Sequence, residues 1–262
     1  MAHVFYRNFS MRKVILSRGR WETITSHRLL PTATLVVTDL ERPRYEERVG
    51  GKVAEIVEIP DAIHGIAKVR NWIIDRFDEE CVFMADDDLV CLNARTHEHI
   101  RAIRDPEVIE QIVDNTYICA RDAGAAVFGF GTNPRPYDLR GNMPFQVHCW
   151  VNQAFGVIGR ECRFDEHQKV KDDVDLCLAS LMKHRITWQD NRYYWVAGRR
   201  SNLGGLTKYR TTAKDQADAE YLQRKWGKYI SFVNRGSVVG IHIGVPRRQP
   251  GVPYARIGGE RS

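Results

Sequence analysis

The segment Cys81-Val82-Phe83-Met84-Ala85-Asp86-Asp87-Asp88-Leu89-Val90 constrains this chain more than any other. Its apolar residues run without a break and stop at three consecutive aspartates. An uninterrupted apolar run of this length reads as a strand buried on both faces, as in a parallel sheet. The acids at its carboxyl end are not packing residues. Their mutual repulsion and lost hydration cost on the order of several kcal/mol unless a cation or hydrogen bonds offset them. In open α/β sheets, ligands bind off the carboxyl ends of strands. In an extended chain Asp86 and Asp88 share one side, a spacing that suits one hard divalent cation and the diphosphate it binds. The plainer alternative is a solvated acidic turn.

The residues before this segment predict alternating strands and helices. Lys13 to Leu16 is a first strand, feeding the turn Ser17-Arg18-Gly19-Arg20. Arg18 and Arg20 stand at that strand's carboxyl end, where guanidinium groups can fork onto phosphate or stack on a base; an ordinary charged turn is the alternative. Thr23 to Leu30 reads as a short helix ending before Pro31. Thr34 to Asp39 is a second strand, and Asp39 at its end is a candidate for holding a ribose or base edge. The charged, proline-bearing stretch Glu41 to Gly51 reads as a loop, and Ala54 to Pro60 as a third strand. Ile63 to Phe77 has a helical apolar period, with Asp61 as its N-cap. Arg70 and Asn71 fall mid-helix, where a solvated polar face is the usual fate. The order β-α-β-β-α-β implies an α/β fold with a mostly parallel sheet.

Beyond the aspartates, Glu98 to Arg104 reads as a short helix. Asp105-Pro106-Glu107 is a strong helix start, with a stop at Gly124. Ala125 to Gly131 is a strand opening into a loop that carries Arg135 and Tyr137. Two short strands flank Asn152-Gln153, and Trp150 reads as core. Lys171-Asp172-Asp173-Val174-Asp175-Leu176 opens a helix whose first turn holds three acids. Carboxylates at a helix amino terminus are stabilised by the dipole and the free amides, so a purely structural cap is a serious alternative. Ile186 to Ala197 reads as one aromatic strand, residues 198–206 as a basic glycine-bearing loop, Ala213 to Tyr229 as a helix and Phe232 to Val245 as a strand. The stretch after Pro246 is an arginine-rich tail.

At 262 residues and 43% apolar content, the chain supports a single large α/β domain and is not disordered. We divide it at the sequence level into 13–125, 126–245 and a basic tail, 246–262. The net charge of +6 suits a polyanionic partner. Six cysteines without CxxC spacing read as reduced, buried thiols of an intracellular protein. No amino-terminal signal pattern and no membrane-length apolar run is present. The expected compartment is therefore cytoplasmic, with no membrane and no protein partner implied.

Three features in this order resemble the nucleotide-sugar glycosyltransferases of the GT-A fold: the Ser17-Arg18-Gly19-Arg20 turn, the Asp-x-Asp strand end within Phe83 to Leu89, and the Lys171-Asp172-Asp173-Val174-Asp175-Leu176 helix start. The last is similar to the Glu-Asp-x-Asp-Leu element from which inverting members draw their base. Here Asp172 replaces the usual Glu, which leaves the choice between Asp172 and Asp173 open. The helix Ile66-Ala67-Lys68-Val69-Arg70-Asn71-Trp72 and the end Ala85 to Asp88 further resemble the TET/JBP-associated glycosyltransferases of bacteriophages. The Lys171-Asp172-Asp173 element resembles that group too, and the likeness to the GT-A superfamily covers roughly residues 13 to 185.

The resemblance implies a Rossmann-like mixed, mostly parallel sheet flanked by helices, and a UDP-sugar donor bound with Mn²⁺ or Mg²⁺. Asp86 and Asp88 would hold the ion, completed by His242. A histidine between Ile241 and Ile243 is otherwise ordinary core. Arg18 and Arg20 would contact nucleotide or phosphate, Asp39 the uridine, Arg70 the donor phosphate or sugar, and Asp87 the sugar hydroxyls. Asp173, or Asp172, would be the base. The implied acceptor is a 5-hydroxymethylpyrimidine, such as 5-hydroxymethylcytosine, in DNA within a bacterial host cell. Lys and Arg of the 199–210 loop and the tail would meet phosphates, and Tyr137, Tyr193 and Tyr194 are candidates for base stacking. A polysaccharide, lipid carrier or protein acceptor keeps the fold. A non-catalytic nucleic-acid-binding protein and a nucleotidyltransferase are the rivals of other kinds.

Overall fold

The structure is a computed structural model and describes residues 10–95, 99–132, 143–198, 212–235 and 238–246. The first half is built from β1 (Met11–Leu16), β2 (Thr34–Thr38), α1 (Arg42–Val49), β3 (Glu55–Ile59), α2 (Ile66–Arg76) and β4 (Cys81–Asp86). The four strands pair in parallel, in spatial order β3-β2-β1-β4. The chain therefore steps outward from β1 to β3, then crosses by α2 to the other side of β1. This reversal leaves the carboxyl ends of β1 and β4 side by side, with Leu16 opposite Asp86. Such a switch point is where α/β sheets take their ligands.

The second half comprises β5 (Leu89–Arg95), β6 (Ile100–Ile103), α3 (Pro106–Asp122), β7 (Val127–Phe130), β8 (Phe145–Gln146), β9 (Ala154–Ile158), α4 (Asp172–His184), β10 (Trp188–Asp190), β11 (Tyr193–Ala197), α5 (Thr212–Trp226), β12 (Ile230–Arg235) and β13 (Val238–Ile243). The eight-stranded main sheet continues β4-β9-β7-β10-β8. In it β9 runs antiparallel to both neighbours, and β10 is parallel to β7. A separate antiparallel sheet, β11-β5-β6, and the hairpin β12-β13 complete the fold.

The period-two alternation of a strand sends β4 to both faces. Cys81, Phe83 and Ala85 join a cluster with Tyr45 and Val49 of α1 and Ile109, Val113 and Tyr117 of α3. Val82 and Met84 join the opposite cluster, with Ile73 and Ile74 of α2 and Leu176 and Cys177 of α4. A third cluster seats the β12-β13 hairpin on α4 and α5 through Val174, Leu178, Leu222 and Ile230.

Several local expectations are corrected. The stretch 41–51 contains α1, because Pro43 occupies the first turn, where its missing N–H is not needed. Thr23 to Leu30 yields only a 3-10 turn at Ser26–Arg28. The second helix begins at Ile66 behind Gly65, whose φ of 99° few other residues tolerate, and Asp61 is not its cap. The 98–104 stretch is strand β6, held by pairing with β5. The 186–197 run splits into β10 and β11, in different sheets, and 232–245 is part of a hairpin. The helix at 106–122 is capped by Asp105, whose carboxylate accepts from the amides of Glu107 and Val108. Five cysteines are buried, but Cys119 is exposed.

Candidate active site

The aspartates form a tight turn where β4 leaves the main sheet and β5 enters the other one. The backbone holds this turn from several directions. Asp86 N–H donates to the Gln153 carbonyl at 2.8 Å, and the amides of Thr25 and Ser26 donate to the Asp87 carbonyl at 2.9 and 3.2 Å. Ser26 Oγ donates to the Asp86 carbonyl at 2.6 Å and accepts from Leu89 N at 2.9 Å. Gln153 itself has a φ of 59°, a strained conformation for a non-glycine residue that sites of function tend to retain.

The three carboxylates face different partners. Asp87 is buried. Its Oδ1 accepts from Arg20 at 2.8 Å and its Oδ2 accepts from Ser17 Oγ at 2.5 Å. Because Ser17 spends its one hydroxyl proton on Asp87, Tyr45 Oη donates to Ser17 Oγ at 2.6 Å, and it accepts from the Arg20 amide at 3.1 Å. A directed chain therefore runs from Tyr45 through Ser17 to Asp87. Asp88 meets Arg20 at 3.4 Å. Asp86 keeps 43% of its side chain exposed and has Arg70 at 3.8 Å. The protein packed around its carboxylate pushes its pKa up to about 7, with Arg70 opposing and Asp88, Asp87 and Asp173 adding to the rise.

Arg70 links this turn to the start of α4. It is buried between the rings of Phe155 and Phe164 and donates to Asp172 at 2.6 Å. Asn71 beside it bonds the backbone of Phe164 in both directions. Neither residue lies on a solvated helix face; α2 turns both inward against the 164–172 segment.

Of the acids in the first turn of α4, Asp172 is buried and paired with Arg70, and Asp175 is buried against Lys225 and Trp226. Asp173 alone is half-buried, and the amide of Val174 is its hydrogen-bond donor at 2.8 Å. Burial first and the neighbouring Asp172 second push its pKa up to about 7, with Arg70 opposing.

The profile of the TET-Associated Glycosyltransferase family matches residues 11–205, about three quarters of the chain. The chain is a TET-associated glycosyltransferase. No curated protein matches its sequence. Among solved structures, it is similar to glucosyl-3-phosphoglycerate synthase from Mycobacterium tuberculosis in complex with Mn²⁺, UDP-glucose and phosphoglyceric acid. The TM-score is 0.52 at 11% identity, over 90% of this chain and 87% of that one. A crystal structure described only as a mycobacterial protein gives a TM-score of 0.53 at 10% identity, over 90% and 84% of the two chains. S. aureus TarS 1-349, solved with UDP-GlcNAc, gives a TM-score of 0.49 at 13% identity, over 83% and 72%. At these identities the two mycobacterial structures speak for the fold alone, and that fold is GT-A.

In this glycosyltransferase the residues expected at the site separate into two groups. Arg20, Asp86, Asp87 and Asp88 converge, joined by Arg70, Asp172 and Asp173 through the contacts above. Arg18 and Asp39 stand apart at the ends of β1 and β2. Arg18 pairs with Asp61 at 2.6 Å, and Asp39 Oδ1 accepts from Asp61 N at 3.2 Å. His242 does not join the acids. Ile241 and Ile243 pack toward α4 and α5, so alternation along β13 turns His242 outward to an exposed position.

Among the described residues, no three His, Cys, Asp or Glu side chains form a ready metal cage. The donor set still fits a hard cation. Carboxylates outnumber the guanidinium groups of Arg20 and Arg70 here, and Mn²⁺- or Mg²⁺-type sites commonly use one or two carboxylates with substrate phosphates and water. Tyr194 is buried, its hydroxyl accepting from Asn93, which removes it as a stacking platform. Tyr193 packs partly against the core. Arg135, Tyr137, the 199–210 loop and the tail from 247 lie outside the described residues.

Sequence reasoning gave no site role to Tyr45, Ser26 or Gln153, and it named Ser17 only as part of a turn and Asp61 only as a helix cap. Ser17 is next to a flagged arginine and was within reach. Tyr45 lay in a stretch read as loop, and nothing local marked Gln153. No helix of the described residues is long and apolar enough to cross a membrane.

Proposed function

We propose that this glycosyltransferase moves a sugar from a UDP-sugar to the hydroxymethyl group of a 5-hydroxymethylpyrimidine in DNA, with inversion at the anomeric carbon. One observation carries the reading: Arg70 stands between Asp86 at the end of β4 and Asp172 at the start of α4, so donor-side and base-side acids meet in one place. Asp86 and Asp88 would hold the divalent cation. When bound, that ion stabilises charge on the departing diphosphate. Arg18, Asp39 and Asp61 form a polar rim suited to the nucleoside end, and Asp87, whose two carboxylate oxygens accept from Arg20 and Ser17, fixes the turn that carries Asp86 and Asp88.

The acceptor hydroxyl oxygen forms a bond to the anomeric carbon as the bond to the diphosphate breaks. Its proton passes to Asp173, a role worth about 10²–10⁴-fold in rate. Asp173 suits this better than Asp172. Its raised pKa is poised for proton uptake, whereas Asp172 is committed to Arg70. Asp172 is then a positioning residue. Family membership and the charge of +6 support a DNA acceptor. The target nucleotide would be flipped out to reach a site at the carboxyl ends of the central strands β1 and β4.

The test is incubation with radiolabelled UDP-sugars, Mn²⁺, and either hydroxymethylated or plain DNA. Label on modified DNA alone is the expected result. Donor hydrolysis with no label on either DNA would remove the DNA acceptor.

A further inference from the structure

Helix α4 carries Asp173, yet its own sequence does little to fix where it starts. Its N-cap residue is Lys171, which makes no side-chain cap hydrogen bond and cannot, since an ammonium group has no acceptor. The start is held instead from α5. Asp218 on that helix is 6% exposed, and its Oδ2 accepts from two consecutive backbone amides, Lys169 N at 2.8 Å and Val170 N at 2.7 Å. One residue on, Lys171 Nζ meets Asp215 at 3.2 Å. Lys225 and Trp226 reach Asp175 in the first turn of α4, at 2.9 and 2.7 Å. Asp215, Asp218, Leu222 and Lys225 recur at helical spacing, so one face of α5 makes these contacts. Leu222 seats that face against Val174 and Leu178.

A buried carboxylate that accepts two amides has an ordinary explanation as a loop fastener. Its place in the chain narrows that explanation. The amides it holds belong to the two residues ahead of the N-cap, and α4 has no cap of its own to keep its first turn in place if they shift. The attachments of the turn itself grip side chains: Arg70 holds Asp172, and Lys225 and Trp226 hold Asp175.

We propose that Asp218 is a positioning residue for sugar transfer. It fixes the 169–170 backbone from which α4 starts, and so sets where the Asp173 carboxylate meets the attacking hydroxyl. The inference rests on Asp173 as the base. Misplacing a reacting group by about 1 Å can cost about a hundredfold in rate. Helix α5 lies beyond residues 11–205, so the family match does not reach the residue that does this.

Both amides converge on one oxygen, so an Asn side chain can accept both through its carbonyl, whereas Glu keeps the charge and carries it one methylene too far. The experiment compares Asp218→Asn, Asp218→Glu and Asp218→Ala with the wild type, with the folded fraction measured by circular dichroism. Turnover is read as UDP release from UDP-sugar and Mn²⁺, with and without hydroxymethylated DNA. An attacking water gives its proton to the same base, so the comparison does not depend on DNA as the acceptor. Donor affinity is read by calorimetry with UDP and Mn²⁺, and protection of the Lys169 and Val170 amides by NMR hydrogen exchange.

Asp218→Asn should stay near the wild type in all three readouts. Asp218→Glu and Asp218→Ala should lose amide protection and fall about tenfold to a hundredfold in kcat at unchanged donor affinity. Wild-type kcat per folded molecule in both of these, loss of donor affinity in step with kcat, or an Asn variant as slow as the Glu variant overturns the proposal. If Asp218→Ala does not fold, the contrast between Asn and Glu decides. Asp173→Asn with full turnover counts against the base itself. An inactive Asp173→Asn beside fully active Asp218→Glu and Asp218→Ala counts against Asp218 alone.

Discussion

Asp172 and Asp173 are neighbours in sequence with opposite burdens. Asp172 and Arg70 form an ion pair with both side chains nearly excluded from water. Removing one member strands the other, so Asp172→Ala should lower stability by about 3–5 kcal/mol in denaturant melts. Asp173→Asn should instead leave donor binding intact and lower kcat by about 10²–10⁴-fold; loss of donor affinity equal to loss of rate would reassign the base. With its pKa near 7, the Asp173 carboxylate fraction rises through that pH, so kcat/KM should climb with pH and level off above it. The stability sign follows from the same shift. The folded state holds this proton between the unfolded value of about 4 and about 7, so the wild-type carboxylate loses stability as pH rises across that window. Urea melts should show Asp173→Asn gaining on the wild type as pH rises from about 4 to about 7, with no further gain above.

At the scale of elements, β9 passes between β4 and β7 with no room to spare. A Cβ on Gly156 would lie 2.0 Å from the ring of Phe128. That ring is fully buried and stacks on Phe83, so it has nowhere to go. Gly156→Ala should therefore cost about 1–3 kcal/mol, measured by thermal or urea unfolding. Helix α3 shows the opposite case, an element specified locally. Its cap, proline and stop at Gly124 were all legible, and Asp105→Ala should cost about 1 kcal/mol by the same measurement. The elements that were misread share one cause. Strand β6 and the hairpin β12-β13 exist through pairing with partners, and a short window of sequence cannot display a partner. Helix α1 was hidden because a proline that ends helices elsewhere opens this one.

At the scale of the molecule, the basic balance bears on the acceptor. If duplex DNA is bound through its phosphates, log affinity should fall linearly with log salt, with a slope of about −0.9 per phosphate contact. Electrophoretic or fluorescence titrations across a salt series decide it.

What the sequence determined by itself was the scaffold and the chemistry at its edge. A run of apolar residues with no polar break must be covered on both faces, and acids at its end must meet water, cations or donors; both facts are local and need no coordinates. What only the tertiary structure decided was which acid does what. Asp86 and Asp172 lie far apart in the chain and meet only because the crossover through α2 returns beside β1 and α4 docks on the same face. The same long-range packing commits Asp172 to Arg70, leaves Asp173 open, and turns His242 away from the site. Charge type is written residue by residue. Desolvation and partnership, which set what a charge can do, depend on everything the fold brings near it.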